Sequence, residues 1–316
     1  MTVAIRQDNG VHLHRKLQQF LPGVISKRYK KLPFENGEIV PTQASLKPGA
    51  MEVVRERIEE FGEAQIIGDG AYDFPTVNMH SDEDPYRILM VGAGFGITFQ
   101  AERAAQFANY PLRDSSMKVA RRVIAEKANR IAAYGVAGDN TINGHVNDPL
   151  VSLSNSSFEP YAVSGVTASD DLIGFFLEEL EAVVSSSNAV EMAGHFLISH
   201  RLNFQLMKTK IPNSGVNVRQ FLLENDNYIE SITAVNELRP AELEANGVEA
   251  AGAGKERIVL YSKDPEVVER HIEPVDLLPP EYTQVQSARR VFPLMQCVTP
   301  TIINYPGAMS YISYAA

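Results

Sequence analysis

The chain has 316 residues, of which 44% are hydrophobic, so it is long enough for one large or two ordinary domains with real cores. Its formal net charge of −10 argues against a protein held to DNA or RNA by a basic face, because phosphate binding relies on Lys and Arg. Cys297 is the sole cysteine, which excludes an intramolecular disulfide and a thiolate metal cluster.

The first 40 residues carry polar and basic side chains without a sustained hydrophobic period. Lys27, Arg28, Lys30 and Lys31 form a basic cluster in an otherwise acidic chain. The segment is either a solvated arm or an arm that orders only against a neighbour or an internal partner. It lacks the apolar core of a signal peptide, and no run of about 18 apolar residues occurs in the chain, so we expect a soluble protein made in a reducing, cytoplasm-like compartment.

Residues 41–85 predict an extended, partly β excursion, because short apolar segments alternate with prolines. A short helix over Ala50–Phe61 is one option within it. The excursion ends at the acidic turn Ser81–Pro85, where Asp82, Glu83 and Asp84 are adjacent. This turn lacks the alternating ligands and the glycine of an EF-hand, so we interpret it as solvated and not as a calcium site.

The clearest predicted helix spans about Ser115–Tyr134. Asp114, Ser115 and Ser116 supply capping side chains at its start, and Gly135 stands where a C-terminal glycine belongs. The apolar side chains that share one face are Ala120, Val123, Ile124, Ala128 and Ile131. A narrow apolar stripe on a long charged helix predicts an element that lies across a sheet, with its other side available to a second surface.

The rest of the chain alternates short strands and helices. The predicted strands are Arg87–Val91, His195–Ser199, Arg257–Tyr261, Ala288–Cys297 and Thr301–Ile312. The predicted helices are Ser169–Ser185, Leu202–Met207 and Val218–Leu223, with a strand-to-helix junction over Ile97–Ala108 and a loop over Asn246–Gly254. The predicted buried face of the helix Ser169–Ser185 consists of Leu172, Ile173, Phe176, Leu177, Leu180 and Val184.

The segment Ile88–Gly96 resembles a dinucleotide-binding fingerprint, in which a strand enters a GxGxxG turn. Its third glycine comes one residue early, however, because Ile97 occupies that position. No second strand ending in a carboxylate arrives about 20 residues later. We therefore predict that Gly92, Gly94 and Gly96 form a turn or bulge between strands, at a hinge where the excursion returns to the body. An NAD(P)-dependent oxidoreductase built on this run is the rival hypothesis.

No other pattern points to chemistry. His12 with His14, and His195 with His200, lack a third ligand at a suitable spacing. The sequence contains no GxSxG, HExxH, P-loop or CxxC motif. We therefore expect no catalytic, cofactor-binding or metal-binding residue, no cofactor, and a protein that is not an enzyme.

The segment Arg130–Pro149 (RIAAYGVAGDNTINGHVNDP) resembles the major capsid proteins of tailed bacteriophages with the HK97 fold. In that family a long spine helix ends in an aromatic–Gly pair, and a Gly-containing turn and an xxGxxNxP-like segment follow. The corresponding residues here are Tyr134-Gly135, Gly138-Asp139 and Ile142–Pro149. A leucine usually follows the middle glycine in the family, whereas His145 stands there in this chain.

The resemblance continues on both sides of this segment. Phe95–Ala105 is similar to the family's entry into the spine helix, although Arg103 departs from the pattern after Glu102. Ile258–Asp264 resembles its late strand and turn, and Thr299–Ile312 resembles its closing strand. Encapsulin nanocompartments share the fold and form the nearest alternative within it.

The resemblance implies an α+β, HK97-like capsid fold with four parts. These are an N-terminal arm at 1–40, an extended E-loop at 41–85, a peripheral domain at 86–150 and 277–316 with the spine helix on a β-sheet, and an axial domain at 151–276. The E-loop would reach over a neighbouring subunit, which explains an excursion that has little core of its own.

The function that the resemblance implies is that of a major capsid protein, which self-assembles into pentamers and hexamers of an icosahedral phage head around double-stranded DNA. Scaffolding, portal and cement proteins are further implied partners, DNA contact would be non-specific, and no membrane is involved. The protein would be made in the host cytoplasm and reside in the virion. An encapsulin-like compartment shell is the alternative.

Overall fold

The computed structural model describes residues 29–64, 66, 76–139, 141–165, 167–187, 189–190, 192–225, 228–248, 254–279, 284–286 and 289–315. Leu32–Ala316 forms one compact unit. The basic residues Lys27 and Arg28, and the pair His12 and His14, lie outside the described residues. In the part of the chain that is described, no helix is both long enough and apolar enough to span a bilayer.

The described ranges contain helices and strands in alternation. The helices are α1 (Phe99–Phe107), α2 (Leu112–Tyr134), α3 (Ala168–Ser186), α4 (His200–Lys208), α5 (Val218–Asn225) and α6 (Pro240–Ala245), with a 3₁₀ turn at Pro306–Ala308. The first strands are β1 (Thr42–Gln43), β2 (Glu52–Phe61), β3 (Asn78–Arg87), β4 (Leu89–Thr98), β5 (Ser152–Asn155), β6 (His195–Ser199) and β7 (Ser231–Val235). The later strands are β8 (Lys255–Tyr261), β9 (Val268–His271), β10 (Asp276–Leu277), β11 (Gln284–Gln286), β12 (Arg289–Val298), β13 (Ile302–Ile303) and β14 (Met309–Ala315).

A five-stranded mixed sheet with the order β5-β14-β8-β6-β7 forms one centre of the body. Phe196 and Ile198 of β6 face the core that the helices α3, α4 and α5 cover, whereas Leu197 faces the opposite core. Because successive side chains of a strand point to opposite faces, a strand buried on both faces reads as a continuous apolar run. This explains why the strand His195–Ser199 was predicted with its observed bounds.

The second centre is an antiparallel sheet on which α2 lies. β4 and β12 pair over ten residues each, from Leu89 opposite Val298 to Thr98 opposite Arg289, and β10 and β11 also pair with β12. Ala120, Ile124, Ala128 and Ile131 of α2 are buried in the shared core, as predicted. The prediction is wrong for Val123, which is 51% exposed, because it lies on the flank of the stripe.

The start of α2 differs from the prediction, whereas its end agrees with it. The helix begins at Leu112, and its N-cap is Pro111 without a side-chain hydrogen bond, so the capping role predicted for Asp114–Ser116 is wrong. Gly135 does end the helix, with φ of 73°. A Cβ there would lie 1.9 Å from the carbonyl oxygen of Ile142, so both the left-handed backbone and the close chain approach require glycine.

The excursion at 41–85 is dominated by a β-hairpin. β2 and β3 pair in antiparallel register from Glu52 opposite Arg87 to Phe61 opposite Asn78. The helix considered for Ala50–Phe61 is therefore wrong. Cross-strand polar pairs, such as Arg57 with Asp84 at 3.4 Å, join the two strands of this exposed ribbon.

Two predicted domain boundaries disagree with the observed packing. Within the predicted arm, Leu32, Phe34, Ile39 and Val40 are buried in the core, so the chain from Leu32 onward belongs to the body. Strand β14 was expected in the peripheral domain, but it pairs with β8 and β5 in the five-stranded sheet. Backbone ladders join strands across the sequence, so this strand belongs to the same sheet as strands from 151–276.

Candidate assembly surfaces

The hairpin of β2 and β3 exposes apolar side chains along one face. Directly opposite residues of an antiparallel pair project to the same side, so the register places Val54, Ile58 and Met79 together. These three side chains are 51%, 53% and 67% exposed. Glu56, Glu60 and Glu83 project to the same side, so this exposed face combines apolar and acidic side chains. Large apolar side chains that the body leaves in water mark a candidate contact surface for another protein chain.

The root of the hairpin is tied to a buried carboxylate. The guanidinium of Arg55 donates to Oε1 of Glu269, which is fully buried in β9. His271 Nε2 lies 3.2 Å from Glu269 Oε2, and Asn304 Nδ2 donates to Oε1 over 3.3 Å. Burial alone would raise the pKa of Glu269, but the hydrogen bonds from His271, Arg55 and Asn304 lower it to about 2. The hairpin is thus anchored at its base while its length stays exposed.

The outer face of α2 is basic. The helix carries six basic and two acidic residues, a net charge of +4, in a chain whose net charge is −10. Lys118, Arg121, Lys127 and Arg130 are exposed, together with Val119 and Val123. Strands β2 and β3 carry seven acidic and three basic residues, a net charge of −4. The chain therefore displays two exposed surfaces of opposite charge, each with apolar side chains.

A buried arginine fixes the segment that enters the body. Arg270 is fully buried, and its Nη1 and Nη2 donate to the carbonyl oxygens of Phe34 at 2.9 Å and Ala128 at 3.0 Å. Glu35 Oε2 lies 3.6 Å from Nη1. Asn129 of α2 accepts the N–H of Phe34 at 3.0 Å. One guanidinium and one amide therefore join the segment 32–40, β9 and α2 through buried hydrogen bonds.

The glycine run lies inside a strand and not at a turn. Gly92, Gly94 and Gly96 occur in the middle of β4, paired throughout with β12. The helix that follows begins only at Phe99, capped by the hydroxyl of Thr98. The predicted turn or bulge and the hinge are therefore wrong, and a dinucleotide turn between strand and helix is absent at this run. The glycines occupy the sheet face turned away from α2, where the side chain of Arg289 lies over Gly96 and that of Val291 lies beside Gly94.

The remaining polar clusters have structural partners. His195 Nδ1 lies 2.7 Å from Ser231 Oγ, and its Nε2 lies 3.1 Å from Glu230. Glu256 is buried, and its Oε2 accepts the hydroxyls of Ser199 and Tyr314, each at 2.6 Å. Across the described ranges, no group of three or more His, Cys, Asp or Glu residues is placed to hold a metal ion.

Sequence reasoning did not identify Arg270, Glu269 or Glu256 as important. Arg270 and Glu269 belong to Val268–His271, a short strand in which charged and apolar residues are mixed. A buried charge in such a strand has no local signature, because its partners come from distant parts of the chain. One local feature could have indicated a buried charge: Glu269 and Arg270 directly follow two valines in a segment that is too short to form an exposed helix.

The fold matches known capsid structures along nearly the whole chain. The chain in the capsid of Myoviridae phage XM1 has a TM-score of 0.75 at 14% identity, and the alignment covers 95% of this chain and 97% of that one. The structure of Mycobacterium phage Bobi gives a TM-score of 0.64 at 14% identity, with 97% and 98% covered. A virus-like particle from Pyrococcus furiosus gives a lower TM-score of 0.50 at 13% identity, with 89% and 95% covered.

The comparison with curated proteins finds no match. A family model described as major capsid protein matches residues 62–314, which is most of the chain. This range contains the hairpin strand β3, the helix α2 with its sheet, and the five-stranded sheet. The chain therefore belongs to the major capsid protein family and has the HK97-like capsid fold of tailed-phage heads.

Proposed function

We propose that this capsid protein assembles into pentamers and hexamers of an icosahedral head that encloses double-stranded DNA, and that it has no enzymatic activity. The observation that carries the proposal is the hairpin of β2 and β3, which pairs over its full length yet leaves Val54, Ile58 and Met79 in water. A two-stranded ribbon is marginal in isolation, so contact with a neighbouring subunit would stabilise it.

The domain roles form part of the same proposal. The hairpin acts as the E-loop, α2 and its sheet form the peripheral domain, and the five-stranded sheet with its helices forms the axial domain around the capsomer centre. One subunit then meets several environments through the same surfaces, and the arm and hairpin absorb the differences between pentamers and hexamers. Synthesis in the host cytoplasm, DNA packaging, and scaffolding, portal and cement partners complete this account.

Electron microscopy of the purified protein with a matched pair of variants tests the proposal. Wild type should form closed shells or capsomers. Ile58→Asp with Met79→Asp should fold but assemble poorly, because two charges would be buried at the subunit contact. Leu150→Asp, which places a charge at a 75% exposed position of the body, is the control and should assemble. A homogeneous small oligomer of wild type under all conditions contradicts the proposal.

The encapsulin-like alternative is distinguished by particle contents. Shells from infected cells that protect nuclease-resistant double-stranded DNA support the phage head, whereas smaller shells that carry a protein cargo support the alternative. The oxidoreductase hypothesis has a separate test, since NAD(H) or NADP(H) should leave the thermal unfolding temperature unchanged. A reproducible rise with either nucleotide would overturn the non-enzymatic part of the proposal.

A further inference from the structure

One exposed helix face of the body is acidic and carries a notch. Helix α3 contains five acidic residues and no basic residue. At 100° per residue, Asp171, Gly174 and Glu178 lie on the face opposite the buried Leu172 and Phe176. Both carboxylates are exposed, whereas Gly174 is half-buried, and this face borders an open cavity of about 940 Å³ whose other wall is the segment 156–164 of the same chain. A Cβ added at Gly174 would meet no atom within 4 Å. Glycine inside a helix is destabilising relative to alanine, and the packing of this subunit does not require it.

A second exposed helix face is basic and carries an aromatic side chain. Helix α4 contains Arg201 and Lys208 and no acidic residue. Phe204 lies between them on the same exposed face and is 66% exposed, while Leu202 and Leu206 fill the core. The face therefore presents a positive charge, a protruding ring and a second positive charge.

The two faces match in spacing. Asp171, Gly174 and Glu178 follow one another at intervals of three and four residues, and Arg201, Phe204 and Lys208 follow the same intervals. With a rise of 1.5 Å per residue, each pair of charges is about 10 Å apart along its helix. Two such helices, laid side by side in parallel, would place each acidic residue opposite a basic one and the ring opposite the glycine.

These charges are not neutralised within the subunit. In the ranges that the structure describes, neither Asp171 nor Glu178 forms an ion pair, and the same holds for Lys208. The guanidinium of Arg201 lies 3.9 Å from the centroid of the Tyr161 ring, which orients it without neutralising it. Helix α5 packs against both α3 and α4, so both faces belong to one helical layer on the same sheet.

A closed ring of identical subunits needs two different, mutually complementary surfaces on each copy. We infer that the α3 face of one subunit receives the α4 face of the next subunit around the capsomer ring, with Phe204 seated over Gly174, Arg201 opposite Asp171 and Lys208 opposite Glu178. This inference rests on the proposed assembly into rings and names the residues that would join neighbouring copies.

Filling the notch separates assembly from folding. Gly174→Leu should leave the thermal unfolding temperature of the free subunit unchanged or higher, since leucine favours a helix more than glycine does. The same change should lower the yield of capsomers at least about tenfold, because the ring of Phe204 loses its space. Ala182→Leu, which adds the same side chain at an exposed position of α3 beyond the matched stretch, is the control and should assemble normally.

Charge exchange tests the register directly. Glu178→Lys and Lys208→Glu should each lower assembly, and the chain carrying both changes should recover it, because the pair is restored in reverse. The control Glu266→Lys changes an exposed carboxylate in the turn between β8 and β9 and should have no effect.

A mixture of the two single variants gives the sharpest outcome. Alternating copies satisfy every contact in a ring of six, whereas a ring of five cannot alternate. The mixture should therefore yield hexamers or open sheets and tubes without pentamers. Normal assembly of Gly174→Leu and of both charge variants would overturn the inference. The proposed function would still hold in that case, because wild type would form shells. Absence of any wild-type shell would instead contradict the proposed function.

Discussion

His145 offers a stability test that depends on pH. Its side chain is fully buried, and its ring packs edge-on against Tyr261 and Phe34, with centroid distances of 4.7 and 5.9 Å. Within the described residues, neither ring nitrogen has a hydrogen-bond partner. Replacement by leucine keeps a similar volume and removes two unsatisfied polar atoms.

The expected magnitude follows from the pKa. Burial lowers the pKa of His145 from 6.5 to about 3. The unfolded chain therefore binds a proton as the pH falls below about 6.5, while the folded chain binds it only near pH 3, so stability decreases through this window. Each pH unit within this window corresponds to about 1.4 kcal/mol, so the free energy of unfolding falls by about 3 kcal/mol between pH 6.5 and pH 4.5.

Urea unfolding of the unassembled subunit at pH 7 and pH 4.5 measures the effect. His145→Leu should be more stable than wild type by about 1 to 3 kcal/mol at pH 7, since it removes unsatisfied buried atoms. The advantage should grow by about 3 kcal/mol at pH 4.5. His80→Gln, at a side chain that is 64% exposed, is the control and should show no such growth. An advantage of His145→Leu that is equal at both pH values would refute the reasoning.

Three further changes test the anchors and the glycine run. Arg270→Met should lower the free energy of unfolding of the subunit by about 3 to 5 kcal/mol in urea, because it leaves buried carbonyls and Glu35 without their cation. A loss below about 1 kcal/mol would contradict the role of Arg270 in joining these segments. Arg55→Ala should lower the free energy of unfolding by about 2 kcal/mol, because it removes the ion pair with Glu269. It should also speed hydrogen exchange at the root of the hairpin, where the amide of Ile88 donates to the carbonyl of Met51. Unchanged exchange would show that this ion pair does not hold the hairpin to the body. Gly94→Ala should cost less than about 1.5 kcal/mol in thermal unfolding, because the backbone needs no positive φ and the added Cβ makes a tight contact of 3.3 Å only with the Val291 side chain. A loss above about 3 kcal/mol would show that this position of the strand requires glycine.

Local patterns predicted the elements whose buried faces are formed within one segment. The helix α2 and the strand His195–Ser199 were placed correctly to within three residues, because their apolar spacing follows the period of a helix and of a two-sided buried strand. The second helix was also found, but its predicted buried face was only partly right. Leu177 is 39% exposed and Ile173 and Val184 are half-buried, whereas Phe175 and Val183 are buried. The error arose because apolar residues occupy both flanks of that helix.

Non-local pairing explains what the sequence could not predict. Glu52–Phe61 alternates charges at spacings that also suit a helix, and only its ten-residue pairing with Asn78–Arg87 makes it a strand. The glycine run was misread as a turn because its partner, β12, comes much later in the chain. Arg270 is bonded to Phe34 across 236 positions, a contact without any local signal.

The observed packing differs from two predicted domain limits for the same reason. The closing strand β14 follows the peripheral sheet in sequence, but its ladder with β8 carries it into the five-stranded sheet. The residues from Leu32 onward read as part of a polar arm, yet a few large apolar side chains, led by Phe34, are enough to bury the segment.

Electron microscopy of the purified wild-type protein most directly tests whether this chain builds a closed capsid shell. We expect closed particles in which the subunits form rings of five and of six. The β2–β3 hairpin of each subunit should lie on a neighbouring subunit. A single small oligomer under all assembly conditions, with no ring, sheet or shell, would contradict it.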